Sequence, residues 1–192
     1  APSGGTMMFG EGMDRARRPI AAVVGGNRAA EAVLAEAEAL GAGLVDAGFR
    51  VATGGLGGVM TAASRGARNA DGWVEGRVLG VLPGLDAATA NPYVDVAIPT
   101  GMNYARNTLL VALADVVIAV AGGSGTLSEI ALAWQHGKPV VALDLGTGWS
   151  ARLAGERLDD RRSDQIQGAA DAAEAVSLAL SALDTQEVSG GF

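Results

Sequence analysis

The feature that most constrains this chain is a repeated hand-over, in which a short β-prone run stops in glycines and an alanine-rich helical run follows. Ile20–Val24 stops in Gly25-Gly26-Asn27, and Phe49–Ala52 ends in Thr53-Gly54-Gly55-Leu56-Gly57-Gly58. Asp115–Val120 ends in Ala121-Gly122-Gly123-Ser124-Gly125-Thr126. Such alternation is the pattern of a parallel sheet with helices on its faces. Further strands are predicted at Arg77–Leu82, Val94–Ile98 and Pro139–Leu143, the last convincing one. Helices are predicted from Ala29 to about Ala47, Val59 to Asn69, Met102 to Ala114, the third glycine turn to about His136, and Ala169 to Leu183. On the first of these, Val33, Ala37, Leu40 and Leu44 recur at helical spacing.

The fold class read from this order is α/β, a Rossmann-like open parallel sheet with helices on both faces. At 192 residues the chain suits one domain. The expected division is an extended tail at 1–19, a single phosphate- or nucleotide-binding domain at 20–183, and a tail at 184–192. Residues 146–168 read as polar and irregular, with a charge run from Glu156 to Arg162.

Composition removes several function classes. Without cysteine, and with His136 as the one histidine, there is no thiolate nucleophile, disulfide, Cys-type zinc site or histidine cluster, so no metal site is expected. A net charge of −7 argues against nucleic acid as a partner, because backbone phosphates call for a basic face. Arg15, Arg17 and Arg18 read as a solvated tail. The apolar stretch Leu109–Ala121 is too short to span a bilayer and contains Asp115, and residues 1–19 do not read as a signal peptide. A soluble, cytoplasmic protein without membrane contact is therefore expected.

In a parallel sheet all strand C-termini share one edge, which is where open α/β sheets bind ligands. Glycine lets the backbone approach a phosphate, and the amides and dipole of the next helix favour an anion. Gly25, Gly26, Gly54, Gly55, Gly57, Gly58, Gly122, Gly123, Ser124, Gly125 and Thr126 are the candidate ligand-binding residues, although glycine also serves plain tight turns. The standard phosphate motifs are missing. A Walker A loop needs Gly-Lys-Ser/Thr, whereas the single lysine is Lys138. Met60 and Ser128 stand where the dinucleotide fingerprint has its third small residue. Lys138 also precedes its strand, on the edge away from the glycine turns, so it is no Schiff-base lysine for pyridoxal phosphate.

Two charged residues belong to the ligand edge. Thr126 and Glu129 have capping-box spacing, which is one reading of Glu129; the other is a carboxylate one turn above an anion site. The stripe Leu127, Ile130, Ala131, Trp134 faces the core and puts Glu129 near the polar boundary. Trp134 reads as core filling and His136 as a C-terminal cap. Arg106 is either an exposed partner in a surface ion pair or a forked cation for phosphate or carboxylate.

Thr53-Gly54-Gly55-Leu56-Gly57-Gly58-Val59-Met60, Met102 with Arg106, and Gly122-Gly123-Ser124-Gly125-Thr126-Leu127-Ser128-Glu129 resemble the three signature blocks of LONELY GUY (LOG)-type proteins. These were long mislabelled lysine decarboxylases and are relatives of molybdenum-cofactor carrier proteins. The resemblance covers most of residues 20–145. It implies a Rossmann-like homodimer that hydrolyses the N-glycosidic bond of nucleoside 5′-monophosphates to free base and ribose 5-phosphate. Arg106 and Glu129 would be catalytic, and Gly122, Gly123, Gly125 and Thr126 would hold the phosphate. The enzyme branch usually has proline at the place of Ala121 and a basic residue at that of Asn107. Gly146-Thr147-Gly148-Trp149 and Leu158-Asp159-Asp160-Arg161-Arg162 look more like the branch grouped with the carriers. The alternative is thus a non-catalytic carrier of the molybdenum cofactor, whose pterin bears a phosphate. Either way the partner is a phosphorylated small molecule, a nucleoside monophosphate or molybdopterin-type ligand, and no catalytic cofactor is required.

Overall fold

The structure, a computed structural model, describes residues 17–189. Seven strands form one sheet in the order β4-β3-β2-β1-β5-β6-β7. They are β1 (Ile20–Gly25), β2 (Arg50–Thr53), β3 (Val78–Leu82), β4 (Val96–Pro99), β5 (Val116–Val120), β6 (Val140–Leu143) and β7 (Gln167–Ala169). Every neighbouring pair is parallel. Central strands of such a sheet are covered on both faces and read as unbroken apolar runs; all five residues of β5 are buried. Edge strand β4 instead exposes Val96 and Ile98.

Helices lie on both faces. One face carries α1 (Glu31–Asp46), α2 (Val59–Asn69) and α6 (Ala172–Ser189) over a core of Val33, Leu40, Leu44, Phe49 and Ile118. The other carries α3 (Arg106–Leu113), α4 (Ser124–Gln135) and α5 (Gly148–Leu153) over Val24, Val117, Ile130, Trp134 and Ile166. Trp134 fills the core as expected, and its ring nitrogen donates to Asp159 at 2.8 Å.

Several boundaries differ from the reading above. The helix expected from Met102 begins at Arg106, after a 3-10 turn at Asn103–Ala105. The segment 146–168 is not irregular throughout, since it contains α5 and the start of β7. The last helix continues past Leu183 to Ser189. Of the expected tails, residues 1–16, with Arg15, and 190–192 lie outside the described residues. Arg17 is not simply solvated: its two terminal nitrogens grip Asp115 at 2.6 and 2.8 Å, because β5 starts beside it. Among the described residues no helix is long and apolar enough to cross a membrane.

The chain lays β1 to β4 on one side of the sheet and then crosses to β5 on the other side of β1. The C-terminal ends of β1 and β5 therefore diverge into a crevice, the usual ligand position in such sheets. On the opposite helical layer, α1 and α2 cross closely at Gly41 and Gly66, where a Cβ would overlap the carbonyls of Ala63 and Glu38 respectively. Gly41→Ala is expected to lower stability by about 1–3 kcal/mol through overpacking, despite a helix propensity about 1 kcal/mol in its favour. Urea denaturation at pH 7 measures the balance.

Candidate functional site

A cavity of about 650 Å³ opens at the crevice, well within the size range of small-molecule sites. The end of β1 and the turn after it contribute Gly25, Gly26 and Asn27, the turn after β2 contributes Gly54 and Leu56, and α2 contributes Met60. The segment after β3 and β4 adds Pro83, Asn103, Tyr104, Arg106 and Asn107, and α4 adds Gly123, Ser124, Gly125, Thr126 and Glu129. Both charged candidates thus meet in one space. Gly55, Gly57, Gly58 and Gly122 are not among the lining residues. A side chain at Gly58 would overlap the backbone of Gly26 and Asn27, and one at Gly122 would overlap Thr126, so these glycines allow close packing of the turns.

The N-terminus of α4 is where the backbone is left open. Its N-cap is Gly123, with no capping side chain, and the first intrahelical bond runs from Leu127 N–H to Gly123 O at 3.0 Å. The amides of Ser124, Gly125 and Thr126 accordingly precede any acceptor four residues back. The exposed cradle at 123–125 offers them, with the helix dipole, to an anion. At α2 one of the first three amides, that of Val59, already donates to Gly26 O at 3.0 Å. Asn107 Nδ2 donates to Ser128 Oγ at 3.0 Å, and that hydroxyl donates to Gly125 O at 2.7 Å, tying the first turn of α4 to α3. Sequence reading passed over Asn107 as a positioning residue; an asparagine in a largely apolar helical run was the signal.

The capping box is not formed. Because α4 begins at Ser124, Thr126 and Glu129 both lie inside the helix, too far along it to satisfy the first amides. Glu129 also leaves the polar boundary: with Thr126, Ile130, Ala133 and Trp134 it occupies the buried face, 6% exposed. That face is polar at its start because it borders the cavity. His136 is the C-cap residue, with its backbone amide bonded to Leu132 O.

Arg106 is buried too, so the exposed surface pair is ruled out. Its guanidinium lies against Gly54, where any Cβ would overlap it. Glu129 is 3.8 Å away, beyond hydrogen-bond range, and among the described residues Arg106 Nη1 has no hydrogen-bond partner. Burial pushes the Glu129 carboxyl up to about 7 against the pull of Arg106, and burial lowers Arg106 against the pull of Glu129. Near neutral pH the cavity therefore holds a cation, a carboxyl that is partly protonated, and an open helix N-terminus. This is chemistry for an anion with a neutral body.

The family model described as SLOG cluster4 matches residues 18–176. The molybdenum cofactor binding protein of the phototrophic bacterium Rippkaea orientalis is 36% identical, with a TM-score of 0.76 over 88% of this chain and 99% of that one. The molybdenum cofactor carrier protein of Chlamydomonas reinhardtii is 33% identical, with a TM-score of 0.73 over 87% of this chain and 99% of that one. An uncharacterised protein of Archaeoglobus fulgidus is 37% identical over 121 residues, 63% of this chain and 77% of its own length.

The raised Glu129 pKa has a stability consequence. Between the unfolded value of 4.5 and about 7, the unfolded chain ionises this group while the folded chain keeps its proton. Its contribution is complete below pH 4.5 and is lost as pH rises through 7. Relative to Glu129→Gln, the wild type is expected to lose about 3 kcal/mol between pH 4 and pH 8. Parallel denaturant titrations at the two pH values test this, and equal losses in both proteins refute it.

Proposed function

The chain belongs to the SLOG cluster4 family, and from its cavity we propose that it binds and carries a phosphorylated ring compound of the molybdenum-cofactor type. The observation that carries this reading is Arg106, a buried guanidinium whose Nη1 lacks a hydrogen-bond partner among the described residues, on the wall of a cavity that also contains an uncapped helix N-terminus. A phosphate fits the amides of Ser124, Gly125 and Thr126, which need an acceptor and lie in the positive end of the helix dipole. Arg106 reaches the ligand's next polar atoms from Gly54, and Asn107 with Ser128 keeps the cradle in place. The two relatives named for the molybdenum cofactor match over nearly their whole length, which favours that cargo.

A specific observation favours a second reading, N-glycosidic hydrolysis of a nucleoside 5′-monophosphate, as in the LOG branch. Glu129 stands one helical turn inward from the phosphate cradle, where the sugar of an anchored 5′-phosphate would lie. Its carboxylate would stabilise oxocarbenium charge on the ribose while water adds at C1′ and the base leaves with a proton. Arg106 would hold the carboxylate in position.

The proposed assembly is a homodimer through α3 and α4. From Arg106 to Leu113 and from Ser124 to Gln135, the only charged residues are Arg106 and Glu129, both buried. A paired-helix surface with no exposed charge but with exposed Leu109 suits a second copy. Sedimentation velocity at micromolar protein is expected to give a dimer, and a monomer alone would remove this assignment.

The functional test mixes the protein with molybdenum cofactor released from a molybdoenzyme, followed by gel filtration and assay of bound pterin and molybdenum. Co-elution is expected for the wild type, with affinity reduced about ten- to a hundredfold in Arg106→Ala, the worth of a charged hydrogen bond. In parallel, incubation with AMP, CMP, GMP and UMP is assayed for free base. Base release that disappears in Glu129→Gln would favour the hydrolytic reading, and no bound pterin would reject the carrier.

A further inference from the structure

We infer that the end of the cavity farthest from the α4 amides is a subsite for a flat heteroaromatic ring, with Tyr104 as the residue that stacks on it. The inference rests on the phosphate-end reading above and adds the opposite end of the ligand.

The cavity is chemically graded. The α4 cradle follows β5, whereas Pro83 follows β3, and three strand spacings, about 14 Å, separate these strands. Arg106 and Glu129 stand between, with the guanidinium over Gly54 at the end of β2. Next to the polar Asn103, the chain after β2 and β3 adds apolar lining from Leu56, Met60 and Pro83. These side chains offer flat or adaptable contact but no strong donor or acceptor, so they suit a ring face rather than a sugar or a second phosphate.

Tyr104 borders this end and is 89% exposed, the most exposed of the large hydrophobic residues in the described structure. Its backbone, in contrast, is anchored to the end of β3. Thr100 Oγ1 donates to Leu82 O at 2.7 Å, Gly101 N–H to Gly84 O at 3.0 Å, and Asn103 N–H to Pro83 O at 3.0 Å. Asn103 is held at φ 51, a left-handed conformation uncommon for a residue other than glycine. The short turn thus fixes the point from which the phenol ring swings, and two residues later it delivers Arg106 into the same cavity. An aromatic ring with space on its faces, in a cavity lining it shares with Leu56, Met60 and Pro83, is the arrangement of a stacking platform. Such platforms tolerate different heterocycles because each has a π-face. The ligand class is then a phosphate joined to a flat heterocycle, whether purine, pyrimidine or pterin.

The experiment compares AMP, neopterin monophosphate and ribose 5-phosphate by calorimetric titration on the full chain, using wild type, Tyr104→Ala, Tyr104→Phe and Arg106→Ala. At least one ring-bearing probe is expected to bind the wild type more tightly than ribose 5-phosphate. Tyr104→Ala should erase that margin, about tenfold, while leaving ribose 5-phosphate unchanged, and Tyr104→Phe should keep it. Ring-bearing probes that bind Tyr104→Ala as tightly as wild type overturn the inference. So does an equal loss for ribose 5-phosphate, no preference for a ring in the wild type, or a change of oligomeric state in place of a change in ring affinity. The proposed function, which rests on Arg106, fails separately, if no probe weakens in Arg106→Ala.

Discussion

The site depends on how β5 hands the chain to α4. Ala121 and Gly122 take consecutive left-handed conformations, φ 48 and φ 85, and α4 then starts at Ser124 without a capping side chain. For alanine that conformation costs about 1–2 kcal/mol, so the surroundings must hold it. The first turn of α5 does this. Trp149 N–H and Ser150 N–H donate to Gly122 O and Ala121 O, each at 3.1 Å, while Ser150 Oγ donates to Leu143 O at 2.6 Å. The amides of one helix are thus used on the turn that leaves the amides of another unused. The departure at 121 from the LOG enzyme pattern then becomes a backbone difference, because proline is confined to φ near −65° and cannot take this conformation.

The charged pair at the centre is poorly matched as a stabilising element. Arg65 and Glu38, on the surface, make two hydrogen bonds at 2.5 and 2.9 Å, and Arg17 grips Asp115 in the same forked way. Arg106 and Glu129 are far more buried, where poor geometry costs most, yet they stand 3.8 Å apart. The fold shows that it can build good forks and does not build one here. A cation and a carboxyl held near each other without a hydrogen bond, in a cavity, have the perturbed titration and the spare bonding capacity expected of a functional site.

Much of this was legible in the sequence. Six of the seven strands follow apolar or β-prone runs, and the doubly covered sheet explains why those runs do not alternate. The exception is β7, Gln167-Gly168-Ala169, which has no β-branched residue and exists only because β6 offers an edge. Helix α5 was missed for a related reason: six residues carry too little periodicity, and its place depends on the Ala121 turn. Within the site, Arg106 and Glu129 could be assigned to the ligand edge, but not to its interior. Leu127 and Ala131 suggested a core stripe that excluded Glu129, whereas the helix rotates to put Glu129 beside Ile130 at the cavity wall. Which glycines face the ligand was also beyond the sequence. Gly54 and Gly58 look equivalent in one motif, yet the first admits a guanidinium and the second a neighbouring turn.

The two readings of the pocket place opposite demands on a single proton. A carrier gains from a neutral Glu129, because an ionised carboxylate one turn from the phosphate repels the cargo it should hold. Raising the pH through 7 then loosens the ligand, and deprotonation becomes a route to release. A hydrolase needs the ionised form at the moment positive charge grows on the sugar, so its chemical step gains over the same interval. Burial is what makes the question sharp: it brings the carboxyl to about 7, where a small change of environment selects either state. The bound ligand is the largest such change. A phosphate at the α4 amides raises the cost of ionising Glu129 and favours holding. A sugar ring that excludes water and develops positive charge beside the carboxyl lowers that cost and favours cutting. The arrangement of Arg106, Glu129 and the open helix end is common to both proposed outcomes, and the body of a ligand between phosphate and ring would decide which charge state the site adopts.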